Sequence, residues 1–462
     1  MKHLFAAALF LTVLIPGTLA AAGPPHIVMF LSDDHGIDFV GCYGNAAIQT
    51  PNIDALAAQG CLFTQMYAAT PTCVPSRSVL YTGLYPARNG AMGNHTQTRP
   101  DVRSIPHHLR PLGYRVVLAN KIHVQPAPAF PFEILKATLP ANPDQPRRYR
   151  EEGLDVAQVD QLLQEHQREH PDQPLCLILA DNSPHVTWEK NRTYDPETLP
   201  LPPYVVDTPI TRRAMANYWQ DITTMDERVG RVVASLDRHG YADDTLLIYT
   251  TDQGAEWPRC KWTVYDTGIH VPFIIRWPGH IEPGTTNDAL LSFVDMTPTL
   301  IDIAGGNPAA GLDGVSFLPI LRGEQHRLHE VVFASHTRDG DMNVFPQRGV
   351  TDGRYKFVLN LLPENRFTTH FTMVPGIKES HYEVWKTWVE KAETDPETAH
   401  LVDLIVNHPA EEFYDTREDR YEMKNLIDDP AHAERIADMR SRLKDWMRDQ
   451  QDPGLADPAS SR

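Results

Sequence analysis

Five short apolar runs, each of strand length, alternate along the chain with longer segments that can form helices. The runs are His26–Ser32, Tyr114–Asn120, Leu175–Ala180, Thr245–Thr251 and Val271–Trp277. Strands that alternate with helices form a sheet in which most neighbours run parallel and helices cover both faces. The alternation therefore predicts an α/β fold with a large, mostly parallel sheet.

A long amphipathic helix is predicted between the third and fourth of these strands. Apolar residues recur at steps of three and four over Thr211–His239, and Gly240 ends the pattern. From about residue 330 the segments become shorter, and an acidic helix-forming stretch follows around residues 434–448. We therefore expect a larger α/β domain over residues 23–328 and a smaller C-terminal α+β domain over residues 329–462.

The first 22 residues have the pattern of a secretory signal peptide. Lys2 precedes an apolar run from Leu4 to Pro16, and small residues follow up to Ala22. The run is too short for a permanent transmembrane helix, and no second apolar run of about 20 residues follows. We expect residues 1–22 to be removed and the mature protein, without a membrane span, to be secreted or periplasmic.

The charge balance limits the classes of ligand. The 462 residues include 42 Lys and Arg against 60 Asp and Glu, which gives a net charge of −18. This sign is wrong for general attraction to nucleic acid, so an anionic ligand must be met by local positive charge. Five cysteines are too few, and odd in number, for a disulfide scaffold in a chain of this length.

Polar side chains follow four of the predicted strands at the point where each strand ends. Because ligands bind at the carboxyl ends of the strands in such sheets, we expect these side chains to form one site. The four polar segments are Ser32–Asp34, Asn120–His123, Asp181–His185 and Thr251–Gly254.

Two of these strand ends carry the ligand types of a metal site. Asp33, Asp34, Asp252 and Gln253 bring three carboxylates and one amide oxygen. Crowded carboxylates repel one another unless a cation lies among them, and an oxygen-only set favours Ca²⁺ or Mg²⁺ over zinc. A lone Asp-Asp pair is more typical of a turn or a helix cap, but the second acidic strand end favours a metal site.

The segment after Cys73 has the pattern of a short helix. Pro75 stands near its first turn and Gly83 marks its end. Cys73 would then lie at a helix N-terminus, where free backbone N–H groups favour an anion, with Arg77 one turn along on the same side. From this segment alone, an ordinary buried cysteine is an equally good interpretation.

The run Cys73–Arg77, followed by Thr82 and Gly83, resembles the signature of the type I sulfatases. That family has an alkaline-phosphatase-like fold, and its signature cysteine is oxidised to formylglycine, whose hydrate is the nucleophile. The resemblance therefore implies this role for Cys73, with a formylglycine-generating or anaerobic maturation enzyme as a partner. Further matching motifs are Asp33–Asp34, Thr50–Asp54, Asn120–Lys121, Asp252, Gly268–Pro272, Leu312–Gly314, Glu412–Asp415 and Asn425–Leu426.

The resemblance also implies a ligand set for the metal. Asp33, Asp34, Asp252 and Gln253 match the family's divalent-metal ligands, and the modified Cys73 joins them. The implied ion is Ca²⁺, with Mg²⁺ as the alternative. The family usually has Asn where this chain has Gln253, so the longer side chain moves the amide oxygen.

The remaining site residues are likewise implied by the resemblance. Arg77 matches the arginine that steadies the formylglycine. Lys121, His123, His185 and Lys261 match the groups that bind sulfate and transfer protons.

Several stretches resemble the heparan N-sulfatase (sulfamidase) branch of the family. They are Lys121–Pro126, Phe130–Phe132, Asp252–Pro258 and Phe345–Arg348. That branch has arginine where this chain has Lys261, which keeps the charge and loses the bidentate fork. The implied substrate is a sulfated sugar, cleaved at an N-sulfate or an O-sulfate.

Other interpretations stay open at this stage. The chain could be an aryl or carbohydrate O-sulfatase, a phosphate or phosphonate monoester hydrolase of the same superfamily, or a non-catalytic binder of sulfated glycans in which Cys73 is never oxidised. A homodimer is also open. In the second domain we expect residues near His336 and Arg348 to form part of the wall of the sugar pocket, with His95 and His336 as further candidates for substrate contact.

Overall fold

The computed structural model describes residues 23–135, 153–308, 311–373 and 382–455. The predicted signal peptide, residues 1–22, lies outside the described residues. The described strands are β1 His26–Ser32, β2 Cys61–Phe63, β3 Met66–Tyr67, β4 Arg115–Asn120, β5 Glu133–Leu135, β6 Leu175–Ala180, β7 Thr245–Thr251, β8 Phe273–Arg276, β9 Thr285–Asn287, β10 Leu291–Ser292, β11 Val332–Asp339, β12 Asn343–Thr351, β13 Tyr355–Asn360 and β14 Glu411–Asp415.

The described α-helices range from single turns to a helix of 30 residues. None of them combines the length and the apolar character that crossing a membrane requires. They are α1 Pro51–Ala58, α2 Cys73–Thr82, α3 Pro86–Asn89, α4 Ile105–Leu109, α5 Val156–Glu169, α6 Pro209–Arg238, α7 Asp266–Ile269, α8 Met296–Ile303, α9 Leu318–Leu321, α10 His370–Met373, α11 Tyr382–Ala392, α12 Pro396–Val406 and α13 Ala433–Asp449.

The main sheet has eight strands in the order β5-β4-β6-β1-β7-β8-β2-β9. Its centre is formed by β4, β6, β1 and β7, which run parallel to one another. Strand β8 runs opposite to both its neighbours, β7 and β2. The four polar strand ends predicted from the sequence therefore lie on adjacent strands at one edge of the sheet.

Helices cover both faces of this sheet. Along β1, Val28 and Phe30 join an apolar cluster with residues of α6, whereas Ile27 and Met29 join a second cluster with residues of α2 and α8. Strand side chains alternate between faces, so an apolar strand of this kind is buried on both sides. Helix α6 matches the predicted helix to within two residues at its start and one at its end, and Thr208 caps it by accepting a hydrogen bond from the Thr211 N–H.

A second sheet forms the C-terminal part of the structure. Its strands lie in the order β11-β12-β13-β14, and each is antiparallel to the next. Helix α13 packs against this sheet, where Trp446 stacks on Phe333 with ring centroids 5.0 Å apart. The predicted fold class, a mostly parallel sheet flanked by helices with a smaller C-terminal α+β part, is confirmed. The boundary between residues 328 and 329 stays a prediction.

Candidate active site

Three carboxylates meet where β1 and β7 end. Ser32 pairs with Thr251 in the sheet, so Asp33 and Asp34 leave β1 beside Asp252. The Asp34 N–H donates to Asp252 Oδ1 at 3.2 Å. All three aspartates have no solvent-exposed surface. The register of the parallel strands thus forces three acidic side chains into one buried volume.

Helix α2 directs Cys73 at these carboxylates. The helix begins at Cys73, and Gly83 ends it in the left-handed conformation (φ 67°) that glycine adopts without a steric penalty. The thiol of Cys73 lies 3.6 Å from Asp33 Oδ1. One turn along, Arg77 donates from Nε to Asp252 Oδ2 at 2.9 Å, and its Nη2 lies 2.8 Å from the same oxygen. The helix N-terminus predicted from Pro75 and Gly83 therefore brings Cys73 and Arg77 to the strand ends.

Two buried lysines complete the charges around the carboxylates. Lys121, directly after β4, pairs with Asp33. Lys261 donates from Nζ to Asp34 at 2.8 Å and to Glu256 at 3.1 Å. Sequence reasoning missed Glu256 because it lies in a loop, four residues beyond the acidic strand end. Its position five residues before Lys261 was the available signal.

The two predicted histidines occupy different places. His185 Nδ1 is 2.7 Å from the Val186 carbonyl, which can only accept, so the ring proton lies on Nδ1 and the Nε2 lone pair faces the acidic cluster. His185 Nε2 is 3.8 Å from Asp34 and 3.7 Å from Glu256. The ring centroid of His123 lies 5.5 Å from that of His95, and its buried Nδ1 has no hydrogen-bond partner among the described residues.

The three buried aspartates differ in the direction of their pKa shifts. Burial opposes ionisation of Asp33, but Lys121 and the other nearby cations outweigh it and hold the pKa of Asp33 well below its usual range. Burial raises the pKa of Asp34 well above its usual range, although Lys261 counteracts it, and Asp33 adds to the rise. Burial also raises the pKa of Asp252 to about 6 despite Arg77. The cations present therefore do not offset the free-energy cost of ionising all three buried carboxylates.

The basic groups of the site also differ in the direction of their pKa shifts. Burial lowers and Asp33 raises the pKa of Lys121, which ends at about 12, so this lysine stays charged. Burial and the Lys261 charge lower the pKa of His185 to about 4. Burial, Lys121 and Arg77 lower the pKa of His123 to about 2. Both histidines are therefore neutral near pH 7 in the free protein.

The donor set fits a hard divalent cation. Ligand atoms of Asp33, Asp34 and Cys73 all lie within 4.8 Å of one another. Gln253 Nε2 donates to Asp34 at 2.6 Å, while its Oε1 is buried and has no hydrogen-bond partner among the described residues. The oxygen and nitrogen of an amide exchange places by a half-turn, which would present Oε1 to the carboxylates. A cation there would relieve both the crowding and the unpaired oxygen.

The expectation that His336 contacts the substrate, and that Arg348 itself belongs to the pocket wall, is wrong because both side chains are buried, whereas a contribution from residues near them stays a prediction. Arg348 is fully buried, and it donates from Nε and Nη2 to Asp452 at 2.5 and 2.8 Å and from Nη1 to the His336 carbonyl at 2.7 Å. His336 is 1% exposed, and its Nε2 lies 2.7 Å from Asn343 Oδ1. Arg348 thus connects strand β12 to β11 and to the segment after α13, and His336 connects β11 to β12.

Comparisons with known proteins identify the family. A model of the family described as "Sulfatase" matches residues 25–306, and one described as "N-sulphoglucosamine sulphohydrolase, C-terminal" matches residues 258–368. An ulvan-active sulfatase of Formosa agariphila is 32% identical over 94% of this chain and 82% of its own length. The human N-sulphoglucosamine sulphohydrolase is 27% identical over 95% of this chain and 93% of its own.

Solved structures share the fold at lower identity. One, a complex with its substrate D-glucosamine-2-N,6-O-disulfate, has a TM-score of 0.70 at 18% identity and covers 93% of this chain and 99% of its own. A phosphonate monoester hydrolase from Silicibacter pomeroyi has a TM-score of 0.67 at 20% identity, over 93% and 96% of the two chains.

The family match and the two curated relatives remove the non-catalytic glycan binder from the alternatives, because they identify the chain as a sulfatase. The solved structures agree with the fold implied by the signature around Cys73. The chain belongs to the sulfatase family and is an enzyme that hydrolyses sulfuric esters or sulfamates.

Proposed function

We propose that this sulfatase removes a sulfate group from a sulfated sugar, with the N-sulfate of glucosamine as the first candidate. The observation that carries the proposal is the position of Cys73, at the start of α2 and next to Asp33, Gln253 and the two buried lysines. We further propose that Cys73 is converted to formylglycine, and that Asp33, Asp34, Asp252 and Gln253 hold a divalent cation, Ca²⁺ before Mg²⁺.

The charges of the site suit a sulfuryl group. Its negative charge lies on the peripheral oxygens, and the leaving atom gains charge in the transition state. Arg77, Lys121 and Lys261 supply three buried positive charges around Cys73, each held by an aspartate. These groups are positioned before substrate arrives, so little reorganisation is needed when charge develops.

Two groups outside the genetically encoded side chains would add specific chemistry. A divalent cation held by Asp33, Asp34, Asp252 and Gln253 would act as a Lewis acid toward the sulfate group. A formylglycine at position 73 would, as its hydrate, supply one hydroxyl as nucleophile and a second whose proton could be lost to release sulfate. A plain serine or cysteine would instead stay sulfated and would need a second attack at sulfur.

The histidines can carry the proton that the leaving atom needs. His123 and His185 are neutral in the free site because burial and neighbouring cations lower their pKa values. A bound sulfate brings negative charge, which favours the protonated imidazole and raises these pKa values. Substrate binding would thus favour a protonated histidine that can donate its proton to the leaving atom, as general acid catalysis requires.

The choice of an N-sulfated sugar rests on relatives rather than on the sulfate pocket. Support comes from the human N-sulphoglucosamine sulphohydrolase, similar over 95% of this chain, and from the matching C-terminal model. The ulvan-active relative supports an O-sulfated sugar as the second candidate. A phosphonate monoester hydrolase has the same fold, and the tetrahedral oxyanion it acts on resembles sulfate, so phosphonates belong in the test.

We also propose that the enzyme acts outside the cytoplasm. The proposal is supported by the signal-peptide pattern of residues 1–22. Sequencing the N-terminus of the exported protein tests it: a mature chain beginning at about residue 21 or 23 supports export, and an intact Met1 in the cytoplasmic fraction contradicts it.

The substrate is tested by measuring release of sulfate or phosphonate from four compounds: glucosamine N-sulfate, glucosamine 6-O-sulfate, 4-nitrophenyl sulfate and phenyl phosphonate monoester. The enzyme is produced together with a maturation system. We expect the highest kcat/KM on glucosamine N-sulfate. Cys73→Ala should abolish all turnover, whereas the matched control Cys42→Ala, at a cysteine outside the site, should not. Turnover of the phosphonate alone would contradict the proposal.

A further inference from the structure

Four residues beside the sulfate pocket take no part in the chemistry proposed for Cys73. They are Asn94, His95, Trp262 and Asp339, here called the Asp339 cluster. They come from three separate segments: the loop after α3, the residue after Lys261, and the end of β11 in the second sheet. The segments meet where the Asn94 N–H donates to the Arg338 carbonyl at 2.9 Å.

Asp339 fixes the other three members. Its carboxylate is 3% exposed, and Oδ2 accepts hydrogen bonds from Trp262 Nε1 at 2.7 Å and from Asn94 Nδ2 at 3.0 Å. Its Oδ1 lies 3.4 Å from His95 Nε2. A buried carboxylate that accepts several hydrogen bonds is stabilising and directional. One acidic residue of the second sheet therefore orients three side chains at the edge of the site.

The cluster borders the nucleophile on both sides. Asn94 Oδ1 accepts a hydrogen bond from the Val74 N–H at 3.2 Å. The backbone N–H of Trp262 donates to the Pro71 carbonyl at 3.0 Å. The ring of Trp262 also lies 5.2 Å from the ammonium of Lys261. The Asp339 cluster thus lies next to Cys73 and the sulfate pocket.

His95 is the exposed member of the cluster. Its side chain is 61% exposed, and its ring lies beside that of His123, with centroids 5.5 Å apart. Its backbone has φ 61°, a left-handed conformation that residues other than glycine seldom adopt. Its Nε2 lies 3.4 Å from both Asp339 Oδ1 and the donor Asn94 Nδ2, so the cluster holds this nitrogen and Nδ1 is the ring nitrogen that remains for a ligand.

We propose that His95 recognises the sugar part of the substrate through a hydrogen bond between its Nδ1 and a ring hydroxyl, which can donate or accept, with Asp339 as its positioning residue. The inference rests on the proposed function and deepens it. The carboxylates that pair with Arg77, Lys121 and Lys261 are closed to solvent. The exposed imidazole of His95, next to His123, is therefore suited to contact the sugar from which the sulfate is removed. A neutral hydroxyl is favoured over a second anion because the Asp339 charge lies 3.4 Å behind the ring.

The test compares two substrates on one set of variants. We expect His95→Ala to lower kcat/KM about tenfold more on glucosamine N-sulfate than on 4-nitrophenyl sulfate, which has no sugar hydroxyl to lose. His95→Asn, which tolerates the left-handed backbone and offers an amide oxygen, should restore part of this ratio. The exposed histidine His326, outside the cluster, supplies the matched control His326→Ala. Equal losses on the two substrates would overturn the inference.

Asp339→Asn supplies a second, independent readout. This variant should lower both rates, because Asp339 also holds Trp262 and Asn94, and should shift the substrate ratio in the same direction as His95→Ala. In the double variant the ratio should move no further than in His95→Ala alone. Fully additive shifts would contradict the positioning role.

The two proposals fail in distinguishable ways. A wild-type enzyme that hydrolyses no sulfated sugar contradicts the proposed function. A wild-type enzyme that hydrolyses glucosamine N-sulfate, or in its place glucosamine 6-O-sulfate, with an unchanged substrate ratio in His95→Ala contradicts only the role of His95.

Discussion

Two buried acidic clusters in this molecule have opposite electrostatics. In the second sheet, Glu412 accepts hydrogen bonds from the hydroxyls of Tyr265 and Tyr414 at 2.7 and 2.5 Å and from Asn360 Nδ2 at 2.5 Å. Burial opposes ionisation of Glu412, but His408 and these donors outweigh it and lower its pKa to about 2. The carboxylate is fully satisfied by fixed neighbours, which is the arrangement of a structural cluster.

At the end of the main sheet the carboxylates are not satisfied in this way. Burial raises the pKa of Asp34 and of Asp252, and the principal donors around them are the charged side chains of Arg77 and Lys261. A metal cation can therefore compete with Arg77 and Lys261 for the carboxylates, and a sulfate can compete with the carboxylates for Arg77 and Lys261. The difference teaches that the carboxylates at the end of the main sheet are left under-compensated, as a ligand site requires, whereas Glu412 is closed by fixed hydrogen-bond donors and by His408.

The largest expected effect is on turnover, at the nucleophile. Cys73→Ala should lower kcat by at least about 10⁴-fold, because the attacking group is gone, and should change the free energy of unfolding by only about 1 kcal/mol. Cys73→Ser should accumulate a stably sulfated enzyme, visible by mass spectrometry. Sustained turnover by the serine variant would contradict the release step.

Removal of the bound cation should affect the carboxylates at the end of the main sheet and not the Glu412 cluster. Exhaustive chelation should abolish activity and lower the melting temperature, because the cation stabilises the folded protein by about 2.7 kcal/mol when present at 100 times its Kd. Adding Ca²⁺ or Mg²⁺ should reverse both effects. Asp252→Ala should abolish the metal-dependent shift, measured by differential scanning fluorimetry, while Glu412→Gln should keep it. Full activity after chelation, without metal by elemental analysis, would contradict the site.

Glu412→Gln should lower the stability of the folded protein and leave turnover nearly unchanged, which is the reverse of the effect expected for Cys73→Ala. The pKa of Glu412 is lowered from 4.5 to about 2, so its ionised form stabilises the folded protein by about 3 kcal/mol at neutral pH. This contribution is present above pH 4.5 and is lost as the pH falls towards 2. Urea unfolding at pH 7 and pH 3 should therefore show a difference from the wild type that shrinks at the lower pH, while kcat/KM at pH 7 stays within about threefold.

The smallest expected effect concerns the amide ligand. Gln253→Asn keeps an amide oxygen on a shorter side chain, so the apparent affinity for Ca²⁺ should change by less than about tenfold, whereas Gln253→Leu should weaken it by more. The metal dependence of the melting temperature measures both. Equal affinity in the leucine variant would show that Gln253 is not a ligand.

Local sequence patterns predicted the frame of the site. Short apolar runs and a parallel arrangement placed Asp33 and Asp252 at one edge, and the structure has them there. Pro75 and Gly83 predicted the helix that presents Cys73, which begins at that residue. Such features are set by residues close in sequence or by adjacent strands, so a single sequence specifies them.

Contacts between distant segments could not be predicted in the same way. Arg348 was expected at the sugar pocket, but Asp452, 104 residues away, holds it inside the second sheet. Asp339 reaches Trp262 across 77 residues, and no pattern around either marks the contact. Glu256 lies in a loop whose path depends on the packing of the whole domain.

The most direct test of the account relates the activity of the enzyme to the chemical state of Cys73. Preparations with different extents of maturation are compared by mass spectrometry of the Cys73 peptide, where formylglycine replaces sulfur with oxygen and removes two hydrogens, and by sulfate release. We predict that kcat per molecule is proportional to the converted fraction and falls to background when the thiol is intact. Full sulfatase activity in a preparation whose Cys73 is entirely unmodified would contradict it.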